Sequence, residues 1–307
     1  MLHDHTSQLS RTIIRRLSLS LVITLAFVVI EILAGIFANS LALLTDGAHN
    51  LTDALALGLT WWALWITTKP ANSANTYGYH RAGILVALVN STTLAVIALG
   101  IFYEAWKRFT APPVVQADIL IGVGAAAVVV NLATALLVRR GSDNDLNLRS
   151  AFLHLMGDVI STVGAVIAGI IIRFTGWNWL DALVSVLIGF LILWNAWSIL
   201  RESLEILMES SPADVDMEAL RHDMLGVEGV RGVHDLHVWS ITRSLRTLSA
   251  HLVTDDVPVS EGAKVQVAMG EMLSHQYGIT HSTLQLECID CAPIGLYCDI
   301  ATDNHNH

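Results

Sequence analysis

Residues 43–57 read LLTDGAHNLTDALAL, an apolar segment that carries two carboxylates and an imidazole. Leucine and alanine fill most of it, and its continuation, GLTWWALWI, is more apolar still. On a helix, His49 and Asp53 are four residues apart and share a face, with Asp46 one turn earlier. An ionisable side chain in the middle of a membrane-spanning helix costs at least about 2.5–3.5 kcal/mol, so these residues indicate a functional site.

A second apolar segment repeats this spacing. Residues 149–172, RSAFLHLMGDVISTVGAVIAGIII, contain His154 and Asp158 as H-x-x-x-D. Two such helices supply two nitrogen and two oxygen ligands, which suits tetrahedral Zn²⁺. Four protein ligands leave no position for a catalytic water, so the pattern favours a transported ion over a catalytic one. The alternative is that these groups hydrogen-bond to one another and fix helix packing.

Other polar residues in the apolar segments are expected to have a different role. Asp46 and Asn50 should form interhelical hydrogen bonds or line an aqueous cavity rather than bind the metal. Glu31 lies in another apolar segment, and the same bonding role is favoured for it.

The composition indicates a membrane protein. Of the 307 residues, 53% are hydrophobic and 14% are charged, against about 25% charged in soluble domains, and the mean hydropathy is +0.56. A spanning helix needs roughly 20 mostly apolar residues. Six segments qualify, at about residues 13–37, 41–67, 82–106, 115–138, 150–173 and 179–206. The net charge of −10 falls on the residues after 207, which argues against a nucleic-acid partner and favours cations.

The distribution of basic residues predicts the orientation in the lipid bilayer. Lys and Arg gather on the side that holds both termini, and only Lys107, Arg108 and Arg173 lie on the other side. By the positive-inside rule, both termini are expected in the cytoplasm. A cleaved signal peptide over residues 11–38 is the competing interpretation, and the five further apolar segments disfavour it.

The residues after the last apolar segment predict a small α+β domain. Helical and strand patterns alternate in the order αββαβ, with a hairpin around TRS at 242–244. This order suits a ferredoxin-like fold. We therefore predict an α-helical membrane protein with six transmembrane helices followed by a cytoplasmic ferredoxin-like α+β (αββαβ) domain. The expected limits are an N-terminal tail at 1–12, the membrane domain at 13–208, the cytoplasmic domain at 209–291 and a C-terminal tail at 292–307.

The motifs, taken together, resemble a known family. SLALLTDGAHNLTDALAL (40–57), TYGYHRAGIL (76–85), NLRSAFLHLMGDVISTVGAVIAGIII (147–172) and VHDLHVW (233–239) are similar to those of the cation diffusion facilitators. The resemblance extends from about residue 10 to residue 290. It implies a homodimeric metal/proton antiporter whose transport site is His49, Asp53, His154 and Asp158. A histidine at the first of these positions resembles the zinc-preferring branch.

The resemblance also implies a regulatory zinc site in the cytoplasmic domain. His251, His281 and Glu287 would bind the zinc, with His234 as a neighbouring ligand. Thiolates of three cysteines could add to the site: Cys288, Cys291 and Cys298. In some relatives an N-terminal histidine motif of the partner subunit completes the site, and His3 and His5 are the candidates here. Loose scavenging of cations by these terminal histidines is the alternative.

One ion pair is also implied by the resemblance. Arg81 stands where relatives carry a basic residue that bridges the dimer to an acidic residue after the sixth helix. Glu209 would be its partner. Two solvated or lipid-facing charges are the alternative.

The predicted function is a dimeric zinc/proton antiporter and not an enzyme, with Zn²⁺ as substrate and as regulatory ligand. Protonation of His49, His154 and Asp53 would compete with the metal, because zinc requires neutral imidazoles and ionised carboxylates. Cd²⁺, Co²⁺ and Fe²⁺ are further possible substrates, while two imidazoles disfavour Mn²⁺. A membrane-embedded zinc metalloenzyme and a non-transporting zinc sensor are the alternatives. By resemblance, the expected location is a bacterial inner membrane.

Overall fold

The computed structural model describes residues 25–139 and 146–288. The described residues form two compact units. One contains the described residues up to Ala63 and those from Val86 to Leu200, and the other contains Leu64–Leu85 and the described residues from Arg201 onward.

Six apolar helices precede the soluble domain in the described part of the chain: α1 (Leu25–Ala38), α2 (Leu41–Thr67), α3 (Ala82–Thr110), α4 (Ala117–Arg139), α5 (Leu146–Thr175) and α6 (Trp179–Leu207). Within the described residues, four stretches of helix are long and apolar enough to span a membrane: Ala82–Thr110, Ala117–Leu136, Phe152–Thr175 and Trp179–Leu207. The helix α2 has 27 residues, but its hydropathy is lowered by the polar residues around His49. Residues 13–24 of the first predicted segment lie outside the described residues.

The helices α1 and α2 approach each other closely at two glycines. A Cβ atom on Gly47 would lie 2.9 Å from Ile32 Cγ1, and one on Gly35 would lie 2.9 Å from Leu44 Cγ. Both distances are shorter than normal carbon–carbon contacts of about 3.5–4.0 Å. The two glycines therefore permit a close helix crossing beside the segment that carries His49 and Asp53.

The connection between α1 and α2 is fixed from a distant part of the chain. Asn39 has a positive φ of 52° and reverses the chain. Ser40 directly precedes α2, and its hydroxyl oxygen accepts a hydrogen bond from the Leu43 N–H at 3.3 Å. The carboxylate of Asp181, in the first turn of α6, accepts hydrogen bonds from the Ser40 hydroxyl and the Leu41 N–H, both at 2.6 Å.

The soluble domain has the predicted αββαβ order. Its elements are α7 (Met217–Leu225), β1 (Val230–Ser240), β2 (Arg246–Thr254), α8 (Val259–Tyr277) and β3 (Ile279–Glu287). The sheet order is β1-β2-β3, with β1 antiparallel and β3 parallel to β2. The core contains the fully buried Leu220, Leu236, Leu252, Met269 and Leu273. The predicted fold class, a helical membrane domain followed by this α+β domain, is confirmed.

The two helices of the soluble domain begin in different ways. The helix α7 begins at Met217, and Asp216 caps it by accepting hydrogen bonds from the N–H groups of Glu218 and Ala219. The helix α8 begins one residue before Ser260, with Pro258 at the N-cap position and no side-chain cap hydrogen bond.

A β-bulge interrupts β1 at the predicted histidine motif. His234 pairs with His251, and His237 pairs with Ser249. The paired positions are three residues apart in β1 and two residues apart in β2, so β1 contains one extra residue. Asp235, inside the bulge, has a positive φ of 49°. The extra residue changes which side chains face the core: Val233 and Leu236 are both buried, although they are three residues apart.

Candidate metal centres

The first candidate centre lies between α2 and α5. His49 and Asp53 are one turn apart on α2, and His154 and Asp158 are one turn apart on α5. The structure brings all four side chains together. His49 and Asp158 are only 7% and 8% exposed, while Asp53 and His154 are more accessible.

Each histidine lies between the two carboxylates. His154 Nε2 is 2.8 Å from Asp53 Oδ2 and 3.8 Å from Asp158 Oδ2. His49 Nε2 is 3.4 Å from Asp158 Oδ1 and 3.7 Å from Asp53 Oδ2. The two imidazole rings meet edge to face, with centroids 5.6 Å apart.

These distances fit a small tetrahedral cation. Bonds of about 2.0–2.1 Å from Zn²⁺ to nitrogen and oxygen place neighbouring ligand atoms roughly 3.3 Å apart. The four histidine–carboxylate distances, from 2.8 to 3.8 Å, lie on both sides of this value. His49, Asp53 and His154 present single ligand atoms that all lie within 4.8 Å of one another. Asp158 instead directs a different oxygen to each histidine, so a bound ion would require a small movement of its carboxylate.

Polar side chains one turn away form interhelical hydrogen bonds, as expected. The Thr162 hydroxyl of α5 donates to Asp46 Oδ2 at 2.9 Å. The Asn50 amide donates to Glu31 Oε2 of α1 at 3.3 Å, and Glu31 is fully buried. Among the described residues, Glu31 Oε1 and His49 Nδ1 are buried without a hydrogen-bond partner. These contacts tie α1, α2 and α5 together around the first centre.

The second candidate centre lies on the sheet of the soluble domain. Glu287 Oε2 is 3.0 Å from His234 Nε2, and Glu287 Oε1 is 2.9 Å from His251 Nδ1. The two imidazole rings meet edge to face at 5.0 Å. Ligand atoms of His234, His251 and Glu287 lie within 4.8 Å of one another. The arrangement offers two nitrogens and a carboxylate to one cation.

The Glu287 carboxyl is ionised, as a ligand of a cation must be. Burial alone would raise the pKa of the Glu287 carboxyl, but the hydrogen bond with His234 and the charge of His251 outweigh burial and lower the pKa below its ordinary value. The Gln285 amide also donates to Glu287 Oε1, at 3.0 Å. The carboxylate is therefore ionised at neutral pH and available as a ligand.

His281 does not join this cluster within one chain, which corrects the expectation. It pairs with Thr247 near the start of β3, whereas Glu287 pairs with Val253 at the end of β3. Six residues of strand separate the two side chains by roughly 20 Å, at about 3.3 Å per residue. The His281 ring instead meets the Tyr77 ring edge to face, at 5.8 Å.

The remaining predicted ligands are only partly described. Cys288 is an exposed free thiol directly after Glu287. Cys291, Cys298, His3 and His5 lie outside the described residues.

Arg81 and Glu209 are brought together, but within one chain. Arg81 Nη2 lies 2.9 Å from Glu209 Oε1, and both side chains are substantially exposed. The pair joins the loop before α3 to the residues directly after α6 in the same subunit.

The sequence alone did not single out Asp181 or Asp235. Nothing in the sequence signals the role of Asp181, because its hydrogen-bond partners Ser40 and Leu41 are 141 and 140 positions away. Asp235 and His237 were not predicted as neighbours of the zinc cluster. In a regular strand, His234 and His237 would face opposite sides, and only the bulge places them on one face. His237 Nε2 lies within hydrogen-bonding distance of Asp235 Oδ1, at 3.0 Å.

The chain has a bundle of apolar helices with two histidines and two aspartates clustered between two of them. An α+β domain with a second histidine–carboxylate cluster follows the bundle. These features define a multi-pass membrane protein with sites suited to a cation.

Comparison with known proteins identifies the family. The model for the cation efflux transmembrane domain matches residues 17–208. The model for the cytoplasmic domain of cation efflux proteins matches residues 212–288.

Several bacterial transporters are similar along almost the whole chain. The cadmium, cobalt and zinc/H(+)-K(+) antiporter of Bacillus subtilis is 36% identical over 99% of this chain and 93% of its own length. The metal cation efflux system protein CzcD of Cupriavidus metallidurans is 36% identical over 94% of this chain and 90% of its own length. The zinc transporter ZitB of Escherichia coli is 33% identical over 99% of this chain and 98% of its own length.

A solved structure, the metal-bound C-terminal domain of the CzcD transporter from Cupriavidus metallidurans, is 34% identical. It covers 24% of this chain and 99% of its own, with a TM-score of 0.22.

The chain belongs to the cation efflux, or cation diffusion facilitator, family. It is an integral multi-pass membrane protein of a transporter family and not an enzyme.

Proposed function

We propose that this protein exports Zn²⁺ from the cytoplasm in exchange for external protons. The observation that carries the proposal is the cluster of His49, Asp53, His154 and Asp158 between two membrane helices. Two carboxylates neutralise a divalent cation, and two imidazoles supply the borderline-soft ligands that zinc prefers. The relatives named as zinc transporters and as a zinc/H(+)-K(+) antiporter support the same assignment.

Protons and metal compete for the same atoms of this cluster. His154 Nε2 is within hydrogen-bonding distance of Asp53 Oδ2, at 2.8 Å. An ionised Asp53 carboxylate accepts in this contact and the imidazole nitrogen then holds the proton, and a nitrogen that holds a proton cannot bind a metal. Protonation of both imidazoles adds the same charge as one Zn²⁺. The cluster can therefore exchange one zinc ion for protons without leaving a buried charge uncompensated.

The position of the cluster between α2 and α5 is compatible with alternating access. A relative movement of these helices would open the ligands first to the cytoplasm and then to the outside. The distribution of Lys and Arg supports cytoplasmic termini and hence a cytoplasmic soluble domain. The bacterial relatives support the inner membrane as the location.

The metal specificity is expected to extend beyond zinc. Co²⁺ and Cd²⁺ accept two nitrogen and two oxygen ligands, and relatives are named as transporters of both. Fe²⁺ is a weaker candidate, because its affinity for such ligands is lower. The order of preference among these metals is measured by the competition of each metal with Zn²⁺ for uptake.

The soluble domain is proposed to regulate transport. Zinc bound by His234, His251 and Glu287, with Cys288 nearby, would stabilise the active arrangement of a homodimer. The match to a cytoplasmic domain of the family supports dimer formation. Light scattering of the detergent-solubilised protein, with and without zinc, measures the subunit number.

The decisive experiment is Zn²⁺ flux into proteoliposomes under an imposed pH gradient. Wild type is compared with Asp53→Ala and with Asp118→Ala, which removes an exposed carboxylate at the start of α4. We expect flux that follows the proton gradient in wild type and Asp118→Ala, and no flux in Asp53→Ala at equal insertion. Wild-type flux in Asp53→Ala would refute the proposed transport site. Zinc binding without flux under any gradient would instead identify a sensor.

A further inference from the structure

Beside the membrane cluster lies a pair of buried acidic side chains that the proposed exchange does not use. Glu31 of α1 is fully buried, and Asp46 of α2 is 2% exposed. The two carboxyl groups are in hydrogen-bonding contact with each other. The close crossing of α1 and α2 at Gly47 brings Glu31 against α2, since a Cβ atom on Gly47 would lie 3.4 Å from Glu31 Cβ.

The hydrogen bonds of this pair leave one carboxyl oxygen without a donor. The Asn50 amide donates to Glu31 Oε2 at 3.3 Å, and the Thr162 hydroxyl donates to Asp46 Oδ2 at 2.9 Å. Glu31 Oε1 is buried, and no donor among the described residues reaches it. Ionised carboxylates only accept hydrogen bonds, so the contact between Glu31 and Asp46 requires a proton on one of them.

The surrounding charges do not compensate two ionised carboxylates. The titratable groups of the neighbouring helices that act on the pair are Asp158 of α5 and His49 of α2, and no lysine or arginine of the described residues is among them. Burying charges without a partner carries a large desolvation cost. One shared proton removes half of the charge and supplies the missing donor.

We propose that Glu31 and Asp46 share one proton, which leaves when zinc binds at the neighbouring cluster and returns when zinc departs. The pair is a second proton-binding site of the exchange, distinct from the metal ligands. The O–H bond of the pair breaks, its electrons remain on the carboxylate oxygen, and the proton passes to water. Asp46 lies one helical turn before His49, so bound zinc adds two positive charges close to the pair and stabilises its fully ionised form.

A proton fits the pair better than a metal ion does. Oxygen ligands also suit a hard cation such as Na⁺ or K⁺. A cation would have to lie between the oxygens of two carboxyl groups that are already in hydrogen-bonding contact, and it would push them apart. A proton occupies that contact without any movement of the side chains.

The experiment counts the protons released per chain when saturating zinc is added to the full-length protein in detergent. A pH indicator in weakly buffered solution reports the release that accompanies metal binding. The variants are Glu31→Gln, Asp46→Asn and the two combined. The matched control is Glu104→Gln, which changes an exposed carboxyl near the end of α3.

These substitutions keep the packing of the pair. Glutamine at position 31 retains an acceptor for Asn50 and places an N–H where the protonated carboxyl has its O–H. Zinc bound by the soluble domain releases the same number of protons in every variant, so its contribution cancels in the differences. Circular dichroism confirms that each variant is folded.

We expect about one proton fewer per chain in Glu31→Gln than in wild type, and the same decrease in Asp46→Asn. The combined variant should show no further decrease, because the pair holds a single proton, and Glu104→Gln should match wild type. A wild-type count in Glu31→Gln, or additive decreases in the combined variant, would overturn the inference. A wild-type count that changes when KCl is replaced by choline chloride would also overturn it, since a cation would then occupy the pair.

Infrared difference spectroscopy tests the same step in wild type without any substitution. Addition of zinc should remove the band of a protonated carboxyl group, and this change should be absent from Glu31→Gln. An unchanged carboxyl band in wild type would contradict the proposed release.

The inference rests on the proposed function for the binding of zinc at the cluster of His49, Asp53, His154 and Asp158. Both readouts are made at equilibrium and without a gradient. Absence of gradient-driven flux in wild type would therefore refute the proposed function and leave the proton count standing. A wild-type proton count in Glu31→Gln would refute the second proton site and leave the transport proposal standing.

Discussion

The carboxylate of Asp181 accepts a hydrogen bond from the N–H of Leu41, the first residue of α2, at 2.6 Å, although the two residues are 140 positions apart. Asp181 also accepts from the Ala42 N–H at 3.3 Å and lies 3.5 Å from Arg108 Nη1. A helix N-terminus leaves its first N–H groups unpaired, and here a side chain of α6 pairs with two of them. The helix that carries His49 and Asp53 is thereby anchored at its start.

Replacing Asp181 by alanine should destabilise the membrane domain strongly. The Leu41 N–H and the Ser40 hydroxyl would lose their acceptor, and Arg108 would lose a buried partner. Breaking such a buried pair costs about 3–5 kcal/mol. Thermal unfolding in detergent should show a midpoint several degrees lower, together with weaker zinc binding. Asp118→Ala, at the matching position in α4, removes only an exposed ion pair and should change stability by less than about 1 kcal/mol. Equal midpoints for the two variants would refute the anchoring role.

Gly47→Ala should disturb the crossing of α1 and α2. Its Cβ atom would lie 2.9 Å from Ile32 Cγ1 and 3.4 Å from Glu31 Cβ. Such overpacking costs about 1–3 kcal/mol, more than the roughly 1 kcal/mol that alanine gains over glycine in a helix. We expect lower thermal stability and slower zinc flux.

Gly58→Ala is the control for that substitution. Gly58 lies in the same helix, and a Cβ atom there would meet nothing within 4 Å. The variant should be as stable as wild type or slightly more so. If Gly47→Ala behaves like Gly58→Ala, the close approach of α1 and α2 does not constrain the protein.

Arg81 and Glu209 should cross-link within one subunit. In a variant whose three cysteines are replaced by serine, Arg81→Cys and Glu209→Cys are joined with a short bismaleimide. Because the native side chains meet at 2.9 Å in one chain, denaturing electrophoresis should show a product of monomer mass. A product of dimer mass would instead show that the two positions meet between subunits.

The ion pair between Asp214 and Arg246 should make the soluble domain sensitive to acid. Arg246 Nη2 lies 2.7 Å from Asp214 Oδ2, and this hydrogen bond lowers the pKa of the Asp214 carboxyl below its ordinary value of 3.8. A carboxyl whose pKa is lower in the folded state stabilises the fold above the ordinary pKa. That contribution is lost as the pH falls below about 4. The Asp214 side chain is 68% exposed and solvent screens its charge, so the contribution should not exceed about 0.5 kcal/mol.

Thermal unfolding at pH 7 and at pH 3 measures this effect. Asp214→Asn should lower the midpoint slightly at pH 7, and its difference from wild type should be smaller at pH 3, because the carboxyl of wild-type Asp214 becomes increasingly protonated as the pH falls toward its lowered pKa. Asp256→Asn, at an exposed position without an ion pair among the described residues, is the control. An equal difference between Asp214→Asn and wild type at both pH values would contradict the assignment.

Local spacing was enough to predict much of this molecule. Stretches of roughly 20 apolar residues indicate membrane helices whatever their partners are, because the bilayer imposes the length. The spacing of four places His49 beside Asp53, and His154 beside Asp158, on any helix. The alternation in the last third of the chain likewise predicted the αββαβ order. Each of these inferences depends only on residues close together in the sequence.

The arrangement of neighbouring elements required the tertiary structure. The packing of α2 against α5 places His154 Nε2 2.8 Å from Asp53 Oδ2. The parallel register of β3 on β2 separates His281 from Glu287 and pairs it with Thr247. These relationships connect distant parts of the chain, and the residue types alone are compatible with several packings.

The bulge in β1 shows the difference most clearly. In VHDLHVW, strand periodicity places His234 and His237 on opposite faces, and the sequence contains no glycine or proline there to signal an irregularity. One extra residue in the ladder turns Asp235 to a positive φ and brings both histidines to the face of His251. The pairing of β1 with β2, together with the need to bury Val233 and Leu236 in one core, selects this geometry over the regular strand.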